Sequence, residues 1–109
     1  MPFRAPTNWP TTFRLSGREK PAKVYSLSSS GAFLATAQPS LPRTLVHVQL
    51  PLPNHDARVA AEVVMTNVAG NLAKGNLPAG MGVRFRGMGE ETEAALLAFT
   101  LERSRVLRV

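Results

Sequence analysis

One segment of the chain decides the fold, and it reads Val24-Tyr25-Ser26-Leu27-Ser28-Ser29-Ser30-Gly31-Ala32-Phe33-Leu34. Its two ends are rich in apolar and aromatic residues, which favour β-strands. Its middle holds three serines and a glycine, which favour tight turns through local hydrogen bonds and backbone freedom. The segment therefore predicts a strand, a serine-rich turn and a second strand.

The rest of the chain divides into short pieces of strand length and strand composition, which nine prolines and eight glycines separate. The predicted strands cover residues 11–15, 22–27, 32–36, 45–50, 58–66 and 81–86. Residues 67–80 form the longest connection and are predicted to be flexible. Six short strands with close turns indicate an all-β barrel or sandwich.

The last part of the chain changes to helical spacing. Glu90, Glu91 and Glu93 place negative charge where a helix begins, and Arg103 and Arg105 place positive charge near its end, as the helix dipole favours. The apolar residues predicted to share one face are Ala94, Leu97, Ala98 and Leu101. The pattern predicts a helix over 90–104 whose apolar stripe rests on the sheet or on a partner.

Length and charge limit the classes of protein to consider. The 109 residues suffice for one domain with one core, so 1–109 are predicted to form a single domain. The net charge of +6 indicates an anionic partner such as nucleic acid, a nucleotide or a membrane surface. The absence of cysteine excludes disulfides and thiolate zinc sites. No apolar run resembles a signal peptide or a membrane span, so a cytoplasmic protein is expected.

The residues that commonly carry catalysis are scattered. His47 alternates with Val46 and Val48 and is predicted to face solvent from a strand, whereas His55 lies in a turn. The carboxylates form no pair placed for acid–base work and no metal-ligand cluster. The sequence therefore predicts a protein that is not an enzyme and that needs no metal or cofactor.

The glycines at positions 80 and 82 have the spacing of a nucleotide-binding loop, but they lack its third glycine and do not open a helix. A strand is the better interpretation. In that strand Val83 and Phe85 are predicted to point into the core, and Arg84 and Arg86 to point outward.

Basic residues are concentrated near the start of the chain, where Glu19 is the one acid among them. They are Arg4, Arg14, Arg18, Lys20 and Lys23. Small β-barrels bind single strands by combining such charge with aromatic platforms. Aromatic residues make up only 6% of this chain, and Trp9 and Tyr25 are the candidates for a platform. Trp9 is otherwise expected to cap the open end of the barrel or to mark a partner surface.

The order of these motifs resembles the PilZ domain family of bacterial signalling modules. The turn motif of that family is Asp/Asn-x-Ser-x-x-Gly followed by a small and two apolar residues, and residues 28 and 31–34 match it. The glycine-rich strand Gly80–Phe85, the final helix and the Leu-Pro-Leu-Pro sequence at 50–53 match as well. The resemblance implies a six-stranded antiparallel barrel with one C-terminal helix, and cyclic di-GMP as a ligand bound outside the barrel.

The resemblance also implies which residues would bind that ligand. The family uses an Arg-x-x-x-Arg motif on an N-terminal arm, here 1–10, together with the serine turn. Arg4 corresponds to one arginine of that motif, the other has no counterpart, and Ser26 stands at the Asp/Asn position. The candidate site is therefore Arg4, Ser26, Ser28 and Gly31, with Arg14 and Arg18 as compensating contacts.

These departures from the motif decide the functional prediction. A bidentate arginine contact is worth about 1–3 kcal/mol, so losing one and weakening another lowers affinity by about a hundredfold. We expect a non-enzymatic regulatory module that acts through protein contacts, with weak or absent cyclic di-GMP binding, in motility or pilus regulation. A genuine cyclic di-GMP receptor is the alternative, and a single-stranded nucleic-acid-binding barrel is a second alternative.

Overall fold

Six antiparallel strands close into a barrel in the order β1-β2-β3-β6-β5-β4, and one helix follows them. The computed structural model describes residues 5–52, 55–68 and 78–107. The strands are β1 Ala5–Leu15, β2 Arg18–Leu27, β3 Gly31–Ala35, β4 Leu45–Leu52, β5 His55–Asn67 and β6 Gly80–Phe85. The helix, α1, is Glu90–Leu107. The fold class expected from the sequence is confirmed, and the predicted flexible segment lies mostly outside the described residues.

The first two strands form a tight hairpin. Leu15 pairs with Arg18 across the two-residue turn Ser16-Gly17, whose φ angles are 51° and 80°. Positive φ at both positions is the geometry of a type I′ turn, whose twist matches that of the strands beside it. The hairpin fixes the register that carries Arg14 and Arg18 to this end of the barrel.

Two strands begin earlier than their prolines predicted. β1 starts at Ala5 and not at residue 11, and β2 starts at Arg18 and not at residue 22. Proline has no N–H to donate to a neighbouring strand. It is therefore tolerated at the edge of a sheet, where the strand has no neighbour on one side. Within the described residues β1 pairs with β4 only at Phe13 and Arg14, so Pro6 and Pro10 lie on an unpaired edge. Residues 5–10 of the expected arm are therefore part of β1.

The interior of the barrel is filled by apolar side chains that alternate along the strands. Phe13 on β1 is fully buried, and Val83 on β6 is 2% exposed. Phe85 is partly buried against the same core, and Arg84 and Arg86 are exposed, as their alternation predicted. Phe33 on β3 is buried as well, with 4% of its surface exposed.

The helix packs on the barrel through a different face from the one predicted. Leu96 and Thr100 are buried, and Ala95 and Phe99 pack against the core. The Phe99 ring lies 4.9 Å from that of Trp9, centroid to centroid, which places Trp9 in contact with the helix. The predicted stripe is exposed: Ala94, Leu97, Ala98 and Leu101. The expectation that this stripe rests on the sheet is wrong, because the helix carries apolar residues on both sides and the barrel takes the side with the larger Phe99.

Within the described ranges, no helix is both long and apolar enough to span a membrane.

Candidate functional site

The serine turn between β2 and β3 is held together by the hydroxyl of Ser28. The side chain is buried, with 2% of its surface exposed. Its Oγ accepts from the Gly31 N–H at 3.2 Å and donates to the Gly31 carbonyl at 3.2 Å. The Ser28 N–H also donates to that carbonyl, at 2.9 Å. The hydroxyl is thus occupied inside the turn, where it supports the backbone.

Replacing Ser28 with alanine is expected to destabilise the fold by about 1–2 kcal/mol, because the buried Gly31 N–H loses its hydroxyl partner. Urea unfolding would measure the change. Ser30→Ala is the matched control, since exposed Ser30 makes only a 3.4 Å side-chain contact to the Ser28 hydroxyl, and it should cost less than about 0.5 kcal/mol. Equal losses in the two variants would contradict a structural role for Ser28.

Gly31 is required by the close approach of β3 to β6. A Cβ atom at this position would lie 2.2 Å from the carbonyl oxygen of Val83 and 3.4 Å from the Cα of Arg84. Both are backbone atoms, which cannot swing aside as the end of a side chain can. Backbone crowding therefore explains why the turn motif has glycine at position 31, without reference to a ligand.

Ser26 lies at an irregular point where β1, β2 and β3 meet. It pairs with Pro6 on one side and with Phe33 on the other, and the β2–β3 register shifts between Val24 and Ser26. Tyr25 falls at this bulge, is 39% exposed and meets the buried Phe33 ring edge-on with centroids 6.0 Å apart. An aromatic face therefore flanks the half-buried Ser26 on the outside of the barrel.

Arg14 and Arg18 lie at the opposite end of the β1–β2 hairpin from the serine turn. Ser26 is eight residues along β2 from Arg18, about 25 Å of extended strand. Arg14 Nε also donates to Glu19 Oε1 at 3.1 Å, and Arg58 Nη1 donates to the same oxygen at 3.0 Å. The structure does not bring these two predicted compensating arginines to the serine turn.

The exposed carboxylate of Glu19 is stabilised in its ionised form by its neighbours. A hydrogen bond from Thr12, followed by one from Arg58 and by the charges of Arg58 and Arg14, lowers the pKa of Glu19 below its usual value. Arg14 thus belongs to a surface ion-pair network on the β1–β2–β5 side of the barrel. Such exposed networks contribute little to stability.

Arg4, the predicted arginine of the N-terminal motif, lies outside the described residues. The described chain begins at Ala5, whose partner across β1 and β2 is Leu27, immediately before Ser28. The start of β1 therefore lies beside the serine turn. Arg4 itself stays a prediction.

A basic residue that is not part of the family motif lies at the turn. Arg84 pairs with Gly31 across β3 and β6, and the neighbouring Phe85 N–H donates to the Ser30 carbonyl at 2.9 Å. Arg84 is exposed, and among the described residues it enters no ion pair, since the nearby Glu62 is bound by Arg86 at 3.0 Å. Strand alternation predicted that Arg84 points outward, but only the strand order shows that β6 lies next to β3.

The remaining candidates for catalysis stay apart. His47 is exposed on β4, as its alternation with valines predicted. His55 begins β5 and does not lie in a turn, so that expectation is wrong, and its side chain lies outside the described residues. No group of three or more potential metal ligands occurs within the described ranges. The exposed groups near the serine turn offer hydrogen bonds, positive charge and an aromatic face, which are the properties of a binding surface.

A comparison with protein-family models places this geometry in context. The model described as the PilZ domain matches residues 2–102, nearly the whole chain. Among curated proteins, none matches the chain closely enough to count as a relative.

Proposed function

Because the chain belongs to the PilZ domain family, whose members are binding and regulatory modules, we propose that it regulates through protein contacts and binds cyclic di-GMP weakly or not at all. The observation that carries the proposal is the strand register, which leaves Arg14 and Arg18 at the far end of the hairpin from the serine turn. The role we propose is bacterial signalling in motility or pilus control, and it needs no catalysis.

The turn itself supports the same conclusion. A carboxylate or amide at position 26 has two polar atoms that can each form a hydrogen bond with a ligand, whereas Ser26 has one polar atom, its hydroxyl oxygen. The Ser28 hydroxyl is occupied by the Gly31 backbone. A ligand at this turn would meet fewer side-chain partners than the family motif provides, and each missing bidentate contact costs about 1–3 kcal/mol.

Thermal unfolding with and without cyclic di-GMP tests this proposal. Ligand at one hundred times its dissociation constant stabilises a protein by about 2.7 kcal/mol, which in a domain of this size raises Tm by roughly 10 °C or more. We expect no change in Tm with ligand at about 100 µM. A shift of that size would show a receptor with a dissociation constant near micromolar and would contradict the proposal.

A genuine cyclic di-GMP receptor is the second candidate, and Arg84 is the observation that favours it. An exposed guanidinium beside Gly31 can stack on a base or pair with a phosphate, and Arg4 and Tyr25 would complete the surface. In a receptor of this kind, Arg84→Ala removes the ligand-induced rise in Tm. Arg18→Ala is the control, because its position at the hairpin leaves the rise unchanged.

A further inference from the structure

The outer side of the barrel exposes two large apolar side chains where β4 lies beside β5. Leu45 is 60% exposed and Val64 is 46% exposed, and neither is part of the buried core. Leu45 pairs with Glu62 across the two strands, and Val64 follows Glu62 by two residues. Side chains at such diagonal positions lie within reach of each other, so Leu45 and Val64 form one apolar surface.

A bulge in β5 enlarges this surface. The register between β5 and β6 shifts at Val64, which is the extra residue. Gly82 alternates on β6 with the buried Met81 and Val83, so a Cβ there would point outward. That Cβ would lie 2.9 Å from Met65 Cγ and 3.9 Å from Val64 Cγ2. Met65 therefore lies beside Val64 over the bare glycine, and Leu45, Val64 and Met65 together form the outer patch.

An arginine in a turn of positive φ borders the outer patch. The Thr44 N–H donates to the Leu41 carbonyl at 3.2 Å, with Pro42 and Arg43 between them and a φ of 73° at Arg43. This is a type II turn, whose third position favours glycine. The Arg43 N–H donates to the Val63 carbonyl at 2.7 Å, which places Arg43 next to the patch. The turn alone does not account for an arginine here, and residues held in such conformations are concentrated at binding sites.

The charges around the outer patch leave a positive excess. Arg84 lies opposite Glu62 in the β5–β6 register, but the Glu62 carboxylate is bound by Arg86 at 3.0 Å. Arg43 and Arg84 are exposed, and neither forms an ion pair with any residue that the structure describes. An apolar surface beside two such guanidinium groups is complementary to a segment that carries both carboxylates and an apolar side chain.

The residue types favour a protein as the partner. Within the described ranges, the basic residues beside the patch are arginines, at positions 43, 84 and 86. Arginine and methionine are enriched at protein interfaces, where lysine is depleted. Lipid surfaces attract lysine and arginine alike and are recognised by larger basic clusters. The outer patch is aliphatic, so it has no aromatic ring on which a nucleic-acid base could stack.

We propose that the outer patch binds an acidic segment of a partner protein, which packs an apolar side chain against Leu45 and Val64 and directs a carboxylate to Arg43. Met65 adapts its shape to that apolar side chain, and Arg84 binds a second carboxylate. The inference rests on the proposed function, because it assigns a surface to the protein contacts proposed there. The patch lies outside the serine turn, so tight binding of cyclic di-GMP would overturn the proposed function without removing this surface.

Selection of random peptides displayed on phage, with the full chain as bait, tests the proposal. We expect the enriched peptides to combine acidic residues with a large apolar one. The leading peptide, titrated by fluorescence anisotropy, should bind Leu45→Glu at least about tenfold more weakly than the wild type, because the new carboxylate repels it and an apolar contact is lost. Leu97→Glu is the matched control, since Leu97 is a leucine of similar exposure, 48%, on α1, and it should bind as the wild type does.

Three results of this selection would overturn the proposal. They are no enrichment, enriched peptides without acidic residues, and a leading peptide that binds Leu45→Glu as tightly as the wild type. Vesicles that contain phosphatidylglycerol are titrated alongside. If the wild-type chain binds them more tightly than it binds the peptide, and Leu45→Glu does not, the patch serves a lipid surface and the proposal is wrong.

Arg43→Gly separates binding from folding. The variant should bind the leading peptide several-fold more weakly, because a guanidinium–carboxylate contact is lost. Its Tm should not fall, because glycine adopts the positive φ of this turn without strain. An Arg43→Gly chain that binds the peptide as the wild type does, or that loses binding together with a lower Tm, overturns the role of Arg43 in the patch.

Discussion

Replacing Gly31 with alanine is expected to destabilise the domain by at least about 3 kcal/mol. The new Cβ would lie 2.2 Å from the Val83 carbonyl oxygen. The strands β3 and β6 would therefore have to move apart where Gly31 pairs with Arg84. The Phe85–Ser30 backbone hydrogen bond beside this contact would weaken as well. Urea unfolding of the chain without ligand would measure the loss.

The control for Gly31 is Gly89→Ala, because a Cβ at Gly89 meets nothing within 4 Å. Gly89 precedes the first residue of α1 and its carbonyl accepts from Glu93, so alanine there should cost only up to about 1 kcal/mol as a poorer helix cap. If Gly31→Ala were as stable as the control, the motif glycine would not be required by the fold. Its place in the turn would then need a ligand to explain it.

Replacing Phe13 with alanine is the second change with a large expected effect, a loss of about 3–5 kcal/mol. The Phe13 side chain is fully buried in the barrel core. Within the described residues Phe13 and Arg14 are also the points at which β1 pairs with β4 to close the barrel. The substitution thus leaves a cavity where the barrel closes, and denaturant unfolding would measure the cost.

Arg14→Ala on the neighbouring residue controls for Phe13. Arg14 also pairs with β4, but its side chain is exposed and its contact is the surface ion pair with Glu19. Removing that pair should cost less than about 1 kcal/mol. Comparable losses of unfolding free energy in the two variants would mean that backbone pairing between β1 and β4, and not the buried Phe13 side chain, stabilises this part of the barrel.

The sequence predicted the features that depend on local chemistry. Serines and a glycine between apolar runs predicted the turn at 28–31, and strand alternation predicted an exposed His47 and an outward Arg84. The strands and the final helix follow from the spacing of apolar residues, which recur every two positions in a strand and every three to four in a helix. Together with the resemblance, these patterns were enough for a closed barrel.

What the sequence did not predict depends on neighbours that are distant along the chain. The helix has leucines or phenylalanine on both sides, and the contacts that place the side of Leu96 and Phe99 on the barrel, the Trp9 ring among them, come from residues distant along the chain. The placement of Arg84 at the turn requires that β6 lies beside β3, which no local pattern encodes. The prolines of β1 locally favour an arm outside the sheet, and the edge position that tolerates them exists only in the assembled barrel.

Calorimetric titration of the purified chain with cyclic di-GMP, at moderate salt, tests the central claim most directly. Ser26→Asp, which restores the residue of the family motif, is titrated alongside and should bind more tightly than the wild type. We predict no saturable heat from the wild-type chain with ligand at hundreds of micromolar, since Ser26 stands at the Asp/Asn position and the strand register keeps Arg14 and Arg18 away from the serine turn. A dissociation constant of about 1 µM or below for the wild-type chain, equivalent to about −8 kcal/mol of binding, would contradict the account.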